Sequence, residues 1–149
     1  MSISIGTLRL RNRVLLAPMA GVTDAPFRAA AWRTGAGLVV SEMIASAGLM
    51  SKQRAMLERL RRGEAGNGGP FVVQLAGREA RWLAEGARLA VDAGARMIDI
   101  NMGCPAKLVA GKLSGAALLR DPDGAARLVA AAVKAAGEAP VSVKMRLGW

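Results

Sequence analysis

Short runs of aliphatic and β-branched residues alternate with longer stretches of helical periodicity along the whole chain. Five of these runs, four to six residues long and mostly bounded by glycine or proline, have the composition of buried strands. They are Val14–Ala17, Leu38–Glu42, Phe71–Leu75, Met97–Asn101 and Val141–Arg146. Regular alternation of strands and helices predicts βαβ units, whose strands form a parallel sheet.

Caps and breakers predict where the helices between the strands begin and end. Asp24 is a candidate N-cap with Pro26 in the first turn, and Gly35 and Gly37 end that helix. The other predicted helices are Met50–Leu60, Glu79–Ala93, Gly111–Leu119 and Asp121–Ala136. The glycine-rich segment Arg62–Pro70 is predicted to be a loop.

A parallel sheet with right-handed crossovers leaves two architectures, a doubly wound sheet or a closed (β/α)8 barrel. A doubly wound sheet usually carries a Gly-x-Gly-x-x-Gly turn after its first strand, whereas this chain has Ala-Pro-Met-Ala-Gly at 17–21. Polar residues instead cluster where strands end, as they do at the active-site face of a barrel. The sequence therefore favours a TIM barrel, and Ile3–Arg13 is predicted to form a hairpin, with a Gly6-Thr7 turn, that plugs its bottom.

The number of strands is too small for a whole barrel. A TIM barrel needs about 250 residues and eight strands, whereas this chain has 149 residues and five strand candidates. We therefore expect residues 1–149 to be the N-terminal part of a truncated catalytic barrel whose C-terminal half is absent.

The composition limits the function classes. With 21 Lys and Arg against 11 Asp and Glu, the formal net charge is +10, which favours a polyanionic partner such as nucleic acid. A single Cys and no His exclude an intramolecular disulfide, a zinc module and a Cys-His or Ser-His pair within this chain. No apolar run reaches the roughly 18–20 residues of a membrane span, and the first residues do not have the pattern expected of a secretory signal. We therefore expect a cytoplasmic protein with no metal and no membrane partner.

Candidate functional side chains lie at or near the strand ends. Cys104 occupies a Gly-Cys-Pro segment, which predicts a loop directly after the fourth strand. Gln74, flanked by apolar residues in the third strand, offers an amide that suits the edge of a planar heterocycle. Lys144 and Arg146 share one face of the fifth strand, where buried cations need an anionic or polar partner.

Each candidate also has a purely structural interpretation, which the residues alone leave open. A lone Cys is often a small buried hydrophobe, a strand Gln a satisfied core amide, and cations at a strand end are often simply solvated. Glu42 and Asp99 are interpreted only as structural partners of basic residues.

Two sequence blocks are typical of one family. Leu16–Arg28 contains Ala-Pro-Met-Ala-Gly-Val-Thr-Asp, and Asp99–Lys107 reads Asp-Ile-Asn-Met-Gly-Cys-Pro-Ala-Lys. Three shorter segments follow the same order and rough spacing: Ser41–Met43, Val73–Leu75 and Val143–Trp149. Essentially the whole chain resembles the tRNA-dihydrouridine synthases, and the segment Asn-Met-Gly-Cys-Pro-Ala-Lys resembles the bacterial B subgroup most. Leu108 stands where that subgroup usually has a second lysine.

The resemblance implies a flavoenzyme that reduces the C5=C6 bond of a uridine in tRNA. FMN would be the hydride donor, and NADPH would recharge it. The backbone of Pro18, Met19 and Ala20 would lie against the flavin ring. Gln74 would hydrogen-bond the pyrimidine edge of the flavin, and Lys144 would stabilise the negative charge that collects at N1 and O2 on reduction.

For the substrate, the resemblance implies that Cys104 is the general acid that protonates C5 of uracil after hydride addition at C6. Thiols suit this role because an unperturbed cysteine, with a pKa of about 8.5, is protonated at neutral pH. Asn101 and Arg146 are the implied substrate contacts, and the uracil has to leave its stack to reach a barrel mouth. In the family, later strands hold the FMN phosphate and a helical C-terminal domain binds tRNA, and we expect this chain to lack both.

Two other functions remain open at this point. Dihydroorotate- and dihydropyrimidine-type dehydrogenases also pair a flavin barrel with a uracil ring, although the charge of +10 favours RNA over a small acidic metabolite. A basic, non-catalytic RNA-binding remnant of a synthase is the third interpretation.

Overall fold

The computed structural model describes residues 3–64, 68–111 and 113–148. The strands in these ranges are β1 (Ile3–Ile5), β2 (Leu8–Leu10), β3 (Leu15–Leu16), β4 (Leu38–Val39), β5 (Ile44–Ala45), β6 (Val72–Ala76), β7 (Met97–Met102) and β8 (Val141–Met145). The helices are α1 (Ala25–Arg33), α2 (Ser46–Met50), α3 (Arg54–Glu64), α4 (Ala80–Asp92), α5 (Lys107–Ala110) and α6 (Pro122–Ala136), with a 3-10 helix at Gly115–Arg120. None of the helices in the described ranges is long and apolar enough to cross a membrane.

The parallel strands are arranged in the order of the sequence. β3 pairs with β4, and β5, β6, β7 and β8 form one sheet in that order. Beyond the end of β4, the Ser41 N–H donates to the Val72 carbonyl oxygen at 3.0 Å, so β4 and β5 are two pieces of one strand position. A doubly wound sheet reverses its strand order at a switch point, whereas a barrel does not. The fold is therefore the five-strand N-terminal portion of a TIM barrel.

Two apolar layers lie on opposite sides of these strands. The helix-facing layer joins β6 and β7 to α4 and α6, and it contains Val73, Leu75, Leu83, Ile98, Ile100 and Leu128. The layer on the barrel side is shared with the β1–β2 hairpin and contains Leu8, Leu10, Leu38, Val40, Val72 and Met97. The hairpin turns at Gly6, where φ is +55° and an added Cβ would lie 2.8 Å from the Cβ of Pro140. Because Pro140 immediately precedes β8, the hairpin covers the amino-terminal ends of the strands, and the predicted plug is confirmed.

Two helices begin at the aspartates predicted to cap or open them. Asp24 accepts a hydrogen bond from the Phe27 N–H at 2.9 Å, and Asp121 accepts one from the Gly124 N–H at 2.9 Å. A proline follows within the first two positions of each helix. These caps pair amides that a helix leaves unpaired at its start. They fix the residues at which α1 and α6 begin, after the segments that follow β3 and β7.

Three strands are shorter than predicted. The first strand is reduced to Leu15–Leu16, and the second ends at Val39 and resumes only at Ile44. Glu42, predicted to lie in the second strand, instead accepts a hydrogen bond from the Gly21 N–H at 2.5 Å. The fifth strand ends at Met145, so Arg146 follows it. The first run is also not the buried strand that was predicted, because Val14 is 62% and Leu15 48% exposed. A strand ladder continues only where a neighbouring strand can pair, so an apolar run overestimates strand length.

The predicted helix Met50–Leu60 is divided, and the prediction is wrong in its boundaries. α2 ends at Met50 and α3 begins at Arg54, because Lys52 adopts the left-handed conformation with φ of +52°. α3 then continues to Glu64, into the predicted loop Arg62–Pro70. Residues 65–67 of that loop lie outside the described residues.

The predicted helix Gly111–Leu119 is also wrong. α5 ends at Ala110, and the chain resumes as a 3-10 helix only at Gly115. Leu113 and Gly115 have φ of +56° and +61°, which a right-handed helix cannot contain. Residue 112 lies outside the described residues.

Candidate active site

A cavity of about 230 Å³ opens at the carboxyl ends of β6, β7 and β8. It is lined by Pro18, Ala20, Met43, Gln74, Asn101, Gly103, Cys104, Pro105 and Lys144. Six of the eight side chains or backbone positions predicted from the sequence therefore meet at one place. This is the face at which TIM barrels hold their active sites.

A row of polar residues crosses the sheet at the base of this cavity. The strand register places Gln74 of β6 beside Asp99 of β7, and Asp99 beside Ser142 of β8. The Gln74 Nε2 donates to Asp99 Oδ2 at 2.6 Å, and the Ser142 hydroxyl donates to Asp99 Oδ1 at 2.5 Å. Gln74 is only 1% exposed and Asp99 5%. Asp99, to which the sequence analysis assigns only a structural partnership, is therefore a buried component of the site.

Asn101 connects the polar row to the loop that carries Cys104. Its Nδ2 donates to Gln74 Oε1 at 3.0 Å and lies 3.7 Å from the sulfur of Met43. Its Oδ1 accepts from the Cys104 N–H at 3.0 Å and from the Gly103 N–H at 3.3 Å. Both the NH₂ group and the oxygen of the Asn101 amide are thus hydrogen-bonded, and the oxygen holds the backbone of Cys104 in place.

Burial sets the electrostatics of Asp99. Loss of solvent raises the pKa of Asp99 above its ordinary value, while the hydrogen bonds from Ser142 and Gln74 and the charge of Lys144 act in the opposite direction. Both carboxylate oxygens accept a hydrogen bond, which compensates part of the cost of burying the group.

The turn that contains Pro18, Met19 and Ala20 is held by its own backbone and by a buried arginine. The Met19 carbonyl oxygen accepts from the Val22 N–H at 3.1 Å and the Thr23 N–H at 3.0 Å. Thr23 is buried and its carbonyl oxygen accepts from Arg28 Nη1 at 2.7 Å. Burial lowers the pKa of Arg28, against the influence of nearby Glu42 and Asp24.

A glycine allows close packing beneath Cys104. The Ala116 N–H donates to the Cys104 carbonyl oxygen at 3.0 Å, and a Cβ added to Gly115 would lie 2.6 Å from that same oxygen. Gly115 also has φ of +61°. Any side chain at this position would clash with the Cys104 loop and strain the backbone.

Two predicted site residues do not line the cavity. Met19 is 41% exposed, and its carbonyl oxygen accepts the hydrogen bonds that close the first turn. Arg146 is exposed after β8, with its Cγ 3.5 Å from the Cβ position of Gly103. Lys144 lines the cavity but is itself exposed.

The residues that sequence reasoning missed are Asp99, Ser142, Glu42 and Gly115. For Asp99 a signal existed: a carboxylate inside an otherwise apolar strand. Its position between Gln74 and Ser142 follows from the strand register, which the strand sequences alone do not give. For Gly115 the sequence holds no such signal, because its role depends on the position of Cys104. In the described ranges, no group of three or more His, Cys, Asp or Glu is arranged to hold a metal ion.

Comparison with known families decides the classification. The family model described as dihydrouridine synthase matches residues 15–149, which include the whole cavity. The chain belongs to the dihydrouridine synthase family. A probable tRNA-dihydrouridine synthase of Rhizobium leguminosarum bv. phaseoli is 58% identical over 142 residues, which cover 95% of this chain and 44% of that protein. The tRNA-dihydrouridine synthase B of Pseudomonas putida is 49% identical over 148 residues, which cover 99% of this chain and 43% of that protein. The chain thus spans less than half the length of these relatives.

Solved structures support the fold of this family member. A variant of NCR from Zymomonas mobilis superposes with a TM-score of 0.68 at 20% identity, covering 97% of this chain and 57% of that one. Morphinone reductase in complex with tetrahydroNAD superposes with a TM-score of 0.56 at 13% identity, covering 97% and 62%. At these identities the likeness concerns the fold alone, and it agrees with the strand order of a partial TIM barrel.

Proposed function

We propose that this chain provides the catalytic face of an FMN-dependent tRNA-dihydrouridine synthase, which acts in the cytoplasm. The enzyme would reduce a uridine of tRNA to 5,6-dihydrouridine, with NADPH as the source of electrons. The observation that carries the proposal is the cavity in which Cys104, Asn101, Gln74 and Lys144 meet. Family membership supports it, because relatives named tRNA-dihydrouridine synthase are 48–58% identical to this chain.

The cavity has the chemistry that a flavin ring requires. Pro18, Ala20 and Met43 give apolar walls, and Gln74 and Lys144 give polar groups at two edges. Gln74 uses one N–H hydrogen on Asp99, and we expect the other to donate to the pyrimidine edge of the flavin. Lys144 would stand beside N1 and O2, where a fixed cation favours the reduced ring. When bound, FMN supplies the hydride that adds to C6 of the uracil.

Cys104 is the proposed general acid. Hydride addition at C6 leaves negative charge across C5, C4 and O4 of the uracil, and C5 then takes a proton. The thiol proton would pass from the Cys104 sulfur to C5, and solvent would afterwards return a proton to the thiolate. Asn101 would bind the uracil or the flavin edge, although both ends of its amide also serve the Cys104 loop. Arg146, beside Gly103 at the rim, is the weaker substrate contact.

The charge of the chain suits a tRNA partner. The net charge is +10, and a separate groove of about 630 Å³ is lined by Arg78, Arg120 and Arg127, with Asp121 3.9 Å from Arg127. Arg78 follows β6 and Arg120 ends the 3-10 helix after β7, so both belong to the carboxyl side of the sheet. Arginines there would neutralise backbone phosphates while the target base enters the cavity.

The test is made on a full-length version of the enzyme. We expect it to purify with a yellow flavin and, with NADPH, to add two hydrogens to a uridine of unmodified tRNA, as read by mass spectrometry of the nucleosides. Dihydroorotate and free uracil are the control substrates. Turnover of these small molecules without turnover of tRNA would assign the chain to a dehydrogenase of free pyrimidines. A colourless protein that binds tRNA would assign it to a non-catalytic remnant.

A further inference from the structure

Three hydrogen bonds at the base of the cavity run in one direction, from the Cys104 backbone to Asp99. The Cys104 N–H donates to Asn101 Oδ1, Asn101 Nδ2 donates to Gln74 Oε1, and Gln74 Nε2 donates to Asp99 Oδ2. From the other side, the Ser142 hydroxyl donates to Asp99 Oδ1. Asp99 is therefore the final acceptor of a chain that starts at the Cys104 backbone and crosses β7 and β6.

The chemistry of each group explains why the direction is fixed. An ionised carboxylate only accepts hydrogen bonds, so Gln74 has to present its NH₂ to Asp99 and its oxygen to Asn101. Asn101 then has to present its NH₂ to Gln74 and its oxygen to the Cys104 loop. Had either amide been turned around, two donors or two acceptors would face each other in a buried place, which costs more than a lost bond.

We propose that Asp99 is the positioning residue for Cys104. Its carboxylate fixes the amide directions of Gln74 and Asn101, and Asn101 thereby clamps the backbone N–H groups of Gly103 and Cys104. This deepens the proposed function and rests on it, because it names what holds the general acid in its loop.

A local explanation competes with this one. Asn side chains commonly accept a hydrogen bond from a backbone N–H two or three residues ahead, without help from elsewhere. Under that explanation Asn101 holds the Cys104 loop alone, and changes at Asp99 leave the loop unaffected. The two explanations differ in whether a residue of the buried row controls amide protection at 103–104.

The experiment measures amide hydrogen exchange of the peptide that contains Gly103 and Cys104, in a full-length version freed of flavin and without tRNA. Asp99→Leu replaces the final acceptor by a larger apolar side chain that keeps the branch at Cγ. Gln74→Glu places a second carboxylate against Asp99, and the repulsion between the two would move the side chain at position 74 away from Asn101. The double variant Gln74→Glu with Asp99→Asn restores complementary partners. In it, the new amide at position 99 would donate to the new carboxylate at position 74, which would also accept from Asn101. Asp99→Asn alone is the matched control, since its oxygen can still face Gln74.

We expect exchange at 103–104 to rise about 5–10-fold in Asp99→Leu and in Gln74→Glu, the scale of one lost hydrogen bond. We expect it to return to within about twofold of wild type in the double variant and to stay there in Asp99→Asn. Unchanged exchange in both disrupting variants, or a double variant as unprotected as Gln74→Glu, overturns the proposal. If Asp99→Leu fails to fold, the Gln74→Glu pair decides. Because neither flavin nor tRNA takes part, this result is independent of whether the proposed function holds.

Discussion

β6 and β8 contribute polar side chains to the same cavity from very different surroundings. Every residue of β6 is buried, and Gln74 is bonded to Asp99 on one side and Asn101 on the other. β8 is half-buried to exposed, and in the described ranges it pairs only with β7. Lys144 at its end is exposed. β6 thus supplies the fixed half of the site, in which hydrogen bonds hold the side chains before any ligand binds. β8 supplies the open half, in which the Lys144 side chain is exposed to solvent.

The largest expected effect concerns Cys104, whose backbone is connected to Gln74 of the fixed half through Asn101. In a full-length version, Cys104→Ala should leave flavin binding and NADPH oxidation intact and slow uracil reduction by roughly 10²–10⁴-fold, the usual contribution of a positioned acid. Single-turnover reduction of tRNA measures this directly. An unchanged rate would remove the acid role from Cys104.

The isolated chain should hold the phosphate of FMN weakly. TIM barrels usually bind phosphate with the loops after the last two of their eight strands, whereas β8 of this chain is the fifth barrel strand. We therefore expect the 149-residue chain by itself to bind FMN poorly. Equilibrium dialysis of the isolated chain against FMN, with riboflavin as the control without phosphate, measures this. Affinities that are equal for the two ligands are the expected result, whereas a stoichiometric complex with FMN alone would place a phosphate site within this chain.

Stability should separate the two halves. Gln74→Leu leaves the Asp99 oxygen and the Asn101 amide without their buried partner, so we expect a loss of about 2–4 kcal/mol in the free energy of unfolding. Lys144→Met is the matched control, and we expect a change within about 0.5 kcal/mol because the side chain is exposed. Urea unfolding of both variants measures the difference. Equal losses would show that the two strands support the site alike.

Lys144 should act on the flavin rather than on RNA. A cation beside N1 and O2 favours the reduced ring, so Lys144→Met should lower the reduction potential of the flavin in a full-length version. The dependence of tRNA affinity on salt should not change. If the potential is unchanged and the log–log salt slope falls by about one, Lys144 contacts a phosphate instead.

The smallest effect is a pH dependence of opposite sign at a buried and an exposed carboxyl. Burial raises the pKa of Asp99 in the folded state, so its contribution to stability is present below the unfolded pKa of about 4 and is lost as the pH rises through the folded pKa. At exposed Glu85, the hydrogen bond from Arg88 lowers the pKa, so its contribution is present above the unfolded pKa and lost as the pH falls. Unfolding of the wild type, Asp99→Asn and Glu85→Gln across this range should show the two signs.

Sequence reasoning predicted the alternation of elements, the hairpin plug and six of the nine residues that line the cavity. The alternation, the plug and the candidates Cys104, Gln74 and Lys144 follow from local signals. Pro18 and Ala20 follow only from the family resemblance. The interruption at 40–43 was not predictable, because it depends on Glu42 bonding the Gly21 N–H of another loop. The role of Asp99 was not predicted either, because it arises from strand register, which joins residues 25 and 43 positions apart. Periodicity carries no information on register between distant strands.

The β1–β2 hairpin has a consequence for the order of events in the proposed reaction. Because Leu8 and Leu10 fill the amino-terminal end of the barrel side, the cavity is approached from the carboxyl ends of the strands. A nicotinamide and a uracil that both reach the same flavin from this face would then compete for it. The first product would have to leave before the second substrate enters, and initial rates at several NADPH concentrations would give parallel double-reciprocal lines.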